Sequence, residues 1–169
     1  MNGLFDADPA MRLTKYTDYA MRLMIYLGSQ PTGLSSIREI SDTFSVSQNH
    51  MMKVVQDLAN AGFLEAVRGR NGGIRLARAA NEINLGALLR HTEELSDLID
   101  CRGCRIAPAC SLPSVLSEAT AAFVAVFDKY TLADLVEKRS TLGVLLGFRA
   151  ALPGEDCSPR ALGRQSLEE

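Results

Sequence analysis

The stretch SIREISDTFSVSQNHMMKVVQDLANAG, from Ser36 to Gly62, decides the fold. Ser36 and Glu39 match the S-x-x-E capping box, in which each residue satisfies an orphan donor at a helix start. Ile37, Ile40 and Phe44 recur at i, i+3 and i+7 and so lie on one helix face. Ser45-Val46-Ser47-Gln48 makes a turn and a second cap. A further helix then runs to Ala61, with Met51, Val54, Val55 and Leu58 inward, and Gly62 stops it as a left-handed residue. Two short capped helices joined by about three turn residues form a helix-turn-helix.

The outward residues of the second of these helices are Gln48, Asn49, His50, Lys53 and Gln56, with Ser47 at its head. Amide side chains read adenine edges, and lysine meets guanine or phosphate. Every surface helix has a polar face, so this face alone leaves DNA reading open. The next segment tips the balance. Phe63–Val67 and Ile74–Leu76 are strand-like and flank Arg68-Gly69-Arg70-Asn71-Gly72-Gly73. Asn-Gly predicts a two-residue hairpin turn, because both residues accept positive φ. Arg68, Arg70 and Asn71 then occupy the tip, with Arg75 beside them. An arginine-tipped hairpin directly after a helix-turn-helix is a wing, whose arginines enter a minor groove or clamp phosphates.

Upstream, Arg12 to Leu27 predicts a helix, with Tyr16, Ala20, Leu23, Met24 and Leu27 at helical spacing and Asp18 near its start. Residues 1–10 carry no basic or long apolar run, so they are not a signal peptide. Nothing in the chain is apolar for the eighteen or so residues that a membrane span needs. A cytoplasmic protein is expected, where structural disulfides are rare. The net charge of -2 hides an asymmetry. Residues 11–91 hold ten Lys and Arg against six Asp and Glu, whereas residues 92–169 hold eight against twelve. A basic first half suggests a polyanion partner.

Downstream, residues 83–92 predict a short helix. Then Cys101-Arg102-Gly103-Cys104-Arg105-Ile106-Ala107-Pro108-Ala109-Cys110 gathers three of the four cysteines into ten residues. Thiolates are soft ligands, and three on one loop suit a borderline metal or one face of an iron–sulfur cluster. Gly103 allows a tight turn, and Pro108 argues for a loop. A thioredoxin-type redox centre would need a strand before Cys101, where an acidic helical segment stands instead. His91 is expected to be an ordinary histidine, and Cys157 a bystander thiol. From Leu112 to Phe127, Leu112, Val115, Leu116, Ala119, Phe123, Val126 and Phe127 form an apolar stripe, and Ala121, Ala122, Val124 and Ala125 make other faces apolar too. A helix apolar on more than one side must bury more than one side, so a homodimer is expected, matched to a palindromic operator.

Three segments, Met11–Ala20, Val46–Met51 and Val67–Leu76, resemble the Rrf-two-type winged-helix regulators. Ile106–Cys110 and Tyr130–Val136 (YTLADLV) resemble the NsrR branch of that family, the nitric-oxide-sensing repressors. The likeness spans about residues 11–147. It implies a homodimeric repressor that binds double-stranded operator DNA while carrying one iron–sulfur cluster per subunit, 4Fe-4S favoured over 2Fe-2S, and releases it when nitric oxide destroys the cluster. It implies ligands at Cys101, Cys104 and Cys110, and a fourth from Asp18 of the partner subunit. The first spacing, Cys-x-x-Cys, is shorter than in several relatives. Ser111, Leu112 and Pro113 follow the third cysteine where the branch that senses cluster supply has a histidine. The alternatives are a related regulator of iron or cluster status, a winged helix with structural zinc and, from another class, a thiol oxidoreductase; no enzyme activity is expected.

The expected fold is mostly α: a winged helix-turn-helix with a two-stranded wing and a long C-terminal dimerisation helix. The expected layout is an extension (1–10), a DNA-binding domain (11–91), a cluster-binding loop (92–111), a dimerisation helix with a short following helix (112–138) and a partly disordered tail (139–169). In that tail, Leu142 to Phe148 are expected to pack back on the body.

Overall fold

A computed structural model describes residues 12–30, 33–69, 72–95 and 98–148. Helix α1 (Lys15–Ser29) starts three residues later than its apolar periodicity implies. Thr14 caps it, its side chain accepting from the Thr17 N–H. Helix α2 (Ile37–Phe44) carries the full Ser36–Glu39 box: Glu39 N–H donates to Ser36 Oγ at 3.2 Å, and Ser36 N–H donates to Glu39 Oε2 at 2.8 Å. Ser45 follows in the left-handed region at φ 54. Helix α3 (Gln48–Asn60) is capped by Ser47, whose Oγ accepts from His50 N–H at 3.3 Å. Gly62 closes it at φ 76, a conformation that costs glycine little.

Strands β1 (Leu64–Val67) and β2 (Gly73–Leu76) pair antiparallel, from Leu64 opposite Leu76 to Val67 opposite Gly73. This register matches the expected hairpin, with the second strand starting one residue earlier, at Gly73. Between the strands Gly69 takes a positive φ (114), and Gly72 N–H donates to Gly69 O at 2.9 Å. A side chain at Gly72 would sit 2.4 Å from Val67 O, so the tight approach there requires glycine. Ser35 bridges to Ile74 through two backbone bonds of 3.0 and 2.8 Å, tying the wing to the entrance of α2.

Helix α4 (Leu85–Thr92) is capped by Asn84. A loop with one 3-10 turn at Ala107–Ala109 leads to α5 (Leu112–Phe127), α6 (Leu132–Leu135) and α7 (Arg139–Leu145). The chain returns to the body where Asn84 bridges Thr131, with Leu132 N–H donating to Ile83 O at 2.8 Å. The core is aliphatic. Leu23, Met24, Ile40, Met51, Leu58, Ile83, Leu88 and Leu132 are completely buried in it. Leu142, Leu146 and Phe148 pack against it from α7 and beyond, and Phe148 meets Tyr26 edge-on at 4.9 Å. Among the described residues, no helix is long and apolar enough to cross a membrane.

Candidate nucleic-acid interface and cysteine loop

The caps and the core together present α3. Burial of Met51, Val54, Val55 and Leu58 fixes which side faces inward, and Ser47, Gln48, Asn49, His50 and Lys53 are all exposed on the other. Met52 shares that outer side and is half exposed. The polar reading of this helix passed over it, yet an exposed apolar side chain there suits a thymine methyl group. The usable signal was its spacing, three residues after Asn49.

The wing follows at once. Arg68 is exposed at its root. Arg70 and Asn71 lie outside the described residues. Arg75 is less available than its sequence position implied: it faces Glu65 across the ladder, and its Nε donates to Glu65 Oε2 at 2.9 Å. Such an exposed cross-strand pair is weak, so a phosphate can compete for the arginine. Arg78, just past β2, stacks over the Phe63 ring at 5.4 Å. It adds a cation that the hairpin-centred reading missed.

The cysteine loop hangs from α4. Arg102 donates to Asp100 through Nε and Nη2, both at 3.0 Å, and through its backbone N–H at 2.9 Å. Those bonds hold the Asp100 carboxyl below the usual carboxylate range. Gly103 turns at φ 75, and Cys104 N–H donates to Cys101 O at 3.2 Å. Cys101 and Cys110 are half-buried, Cys104 is exposed, and none of the three forms a disulfide. Cys101 borders an open cleft of about 1210 Å³ between this loop and α5, with Leu95, Leu98, Leu116 and Val124 on its walls.

The donor set therefore fits a thiophilic iron–sulfur or zinc centre by its chemistry: three unpaired thiols on one short loop. It is not gathered into a finished site. Among the described residues, no group of three or more His, Cys, Asp and Glu side chains is arranged to hold a metal ion. Asp18 lies in the first turn of α1 and accepts from its own Arg22 at 2.9 Å. His91 is committed elsewhere, with Nε2 2.7 Å from Asp57 Oδ2. Cys157 lies outside the described residues.

Helix α5 is open. Val124 alone of its residues is buried, whereas Leu112, Val115 and Val126 are about half exposed. Its C-terminal end is anchored to α4, where Arg90 donates to both oxygens of Asp128 at 2.7 and 2.5 Å. Gly86 permits this approach, since a Cβ there would sit 2.0 Å from Asp128 Oδ1.

Solved structures share this build. The chain is similar to CymR, the global cysteine regulator of B. subtilis, at 25% identity with a TM-score of 0.59 over 76% of this chain and 98% of that one. It is similar to the oxidized form of Staphylococcus aureus CymR at 26% identity and TM-score 0.63, over 75% and 97% of the two chains. T. potens IscR shares the fold at 24% identity and TM-score 0.64, over 78% and 90%. The family model for Rrf2, an iron-dependent transcriptional regulator, matches residues 13–138. With the two capped helices, the wing and the trailing helix covered by one match across most of its length, the chain belongs to the Rrf2 family of transcriptional regulators.

Proposed function

We propose that this protein is an iron–sulfur-dependent repressor of the nitric-oxide-sensing type, which binds a palindromic operator as a homodimer. The observation that carries the reading is one chain that joins an outward-facing recognition helix to a short loop bearing three unpaired thiols. Gln48, Asn49, His50 and Lys53 reach base edges, with Ser47 at the helix start. Arg68, Arg70, Asn71 and Arg75 grip the backbone and minor groove.

Cys101, Cys104 and Cys110 hold the cluster, completed by Asp18 of the partner subunit. The bound cluster supplies iron that reacts with nitric oxide. Here the chain's own residues do the positioning. Arg102 and Asp100 fix the turn that carries Cys101 and Cys104. Asp18 is poised by its pairing with Arg22 on an exposed helix start, from which it can exchange partners. The second copy covers the apolar side of α5, where Leu112, Val115 and Val126 are left open by the single chain.

The test is anaerobic purification, with a visible spectrum and a gel shift on the same sample before and after nitric oxide. Colour that fades with the gas, in step with operator release, is the expected result. Colourless protein holding zinc would favour the structural-zinc reading. Coloured protein whose operator binding follows iron supply and ignores nitric oxide would favour a sensor of iron or cluster status.

A further inference from the structure

Asp57 is an acid in a place that disfavours acids. It sits in the last turn of α3, where unpaired carbonyls make the helix end negative. Its carboxylate is nevertheless the meeting point of three helices. Oδ2 accepts from the Tyr16 hydroxyl, on α1, in a short hydrogen bond, and from His91 Nε2, on α4, at 2.7 Å. The partners lie 41 and 34 residues away along the chain. The Tyr16 bond, above all, holds Asp57 below the usual carboxylate range.

Two more bonds lock α1 to the end of α4. Thr14 N–H donates to Glu93 Oε1 at 2.6 Å, and the completely buried Thr17 donates through its hydroxyl to Thr92 O at 3.0 Å. The cysteine loop begins immediately beyond these residues. His91 is further seated beside Phe63, their rings 5.9 Å apart, and Phe63 lies under Arg78 at the foot of the wing.

We infer that Asp57 is a positioning residue: its carboxylate fixes the angle of the recognition helix against α1 and against the root of the cysteine loop. The reading rests on α3 being the element that reads DNA, as proposed above. An ordinary hydrogen-bond cluster would add stability and leave sequence discrimination alone. A cluster that sets an angle matters to specific contacts far more than to phosphate contacts, because base edges tolerate little displacement and phosphates tolerate much.

The experiment compares Asp57→Ala, Asp57→Asn and Tyr16→Phe in the full chain, on a duplex selected in vitro by the wild-type protein and on a scrambled duplex of equal length. Asp57→Ala is expected to lower the ratio of the two affinities about tenfold, a coupling of ordinary size. Asp57→Asn is expected to recover most of that loss, because an amide still accepts from Tyr16. The visible spectrum of the cluster-loaded protein is expected to stay unchanged in all three. An unchanged ratio in folded Asp57→Ala overturns the inference, as does an equal loss on both duplexes. If Asp57→Ala fails to fold, Tyr16→Phe carries the test, and a ratio equal to wild type overturns it.

If the wild type itself selects no duplex, the proposed function falls, and hydrogen exchange on cluster-free protein decides the inference separately. Amides 57–63 should exchange faster in Tyr16→Phe than in wild type; equal exchange overturns the placement.

Discussion

The two halves of the chain solve burial differently. From Thr14 to Thr92 the helices and the wing, joined by Leu132 and Val136 where the chain returns, close one core within a single chain, and residues such as Leu23, Met51 and Leu58 are completely buried there. Beyond Thr92 the cysteine loop and α5 are held by one edge. Leu112 is 48% exposed, Val115 57% and Val126 49%, although the sequence of α5 is as apolar as that of any core helix. The first half is finished by local patterning and by packing within the single chain. The cysteine loop and α5 instead leave thiols and apolar surface open, which is why the proposed partner copy and thiol-held group are both placed there.

Four results would break or sharpen that contrast. The largest effect is expected at the loop. Cys104→Ala should abolish the visible absorbance of anaerobically purified protein and leave the winged helix folded by circular dichroism. Retained colour would remove Cys104 from the ligand set.

Next comes a matched pair of truncations. Leu58→Ala should cost about 2–5 kcal/mol in urea unfolding, because it empties a completely buried site. Val115→Ala should change the stability of the dilute protomer by no more than about 0.5 kcal/mol, as surface substitutions usually do, yet weaken self-association in sedimentation. Equal costs at the two positions would erase the distinction between the halves.

At the hinge between them, Gly86→Ala should cost about 1–3 kcal/mol, since the new methyl group overpacks against Asp128. A thermal melt equal to wild type would show that Asp128 moves aside freely. The smallest effect is expected at the wing tip. Arg70→Ala should weaken binding to all duplexes alike and lower the salt dependence by about one phosphate contact. A loss confined to one sequence would make Arg70 a base reader.

Much of the winged helix-turn-helix is legible in the sequence. The Ser36–Glu39 box and the Ser47 cap are local hydrogen bonds between residues three apart, so spacing alone reveals them. Gly62 as a helix stop and Gly103 as a turn follow from a conformation that few other residues tolerate. The hairpin was legible as a hairpin, but its register was not. The Asn71-Gly72 signal announces a turn but does not state that Leu64 pairs with Leu76 or that Ser35 bridges Ile74. The cysteine triplet was plain as a donor set. Its openness, and the absence of a gathered metal group among the described residues, was not.

By itself, then, the order of residues determined the capped helices, the wing, the dense thiols and the apolar excess of α5, because each depends on neighbours a few positions away. Only the tertiary structure decided that Arg75 is shared with Glu65, that His91 belongs to Asp57, and that Tyr16 reaches the end of α3. Those partners are chosen by packing between residues 10, 34 and 41 positions apart. No local pattern encodes which surfaces will meet once the core has closed.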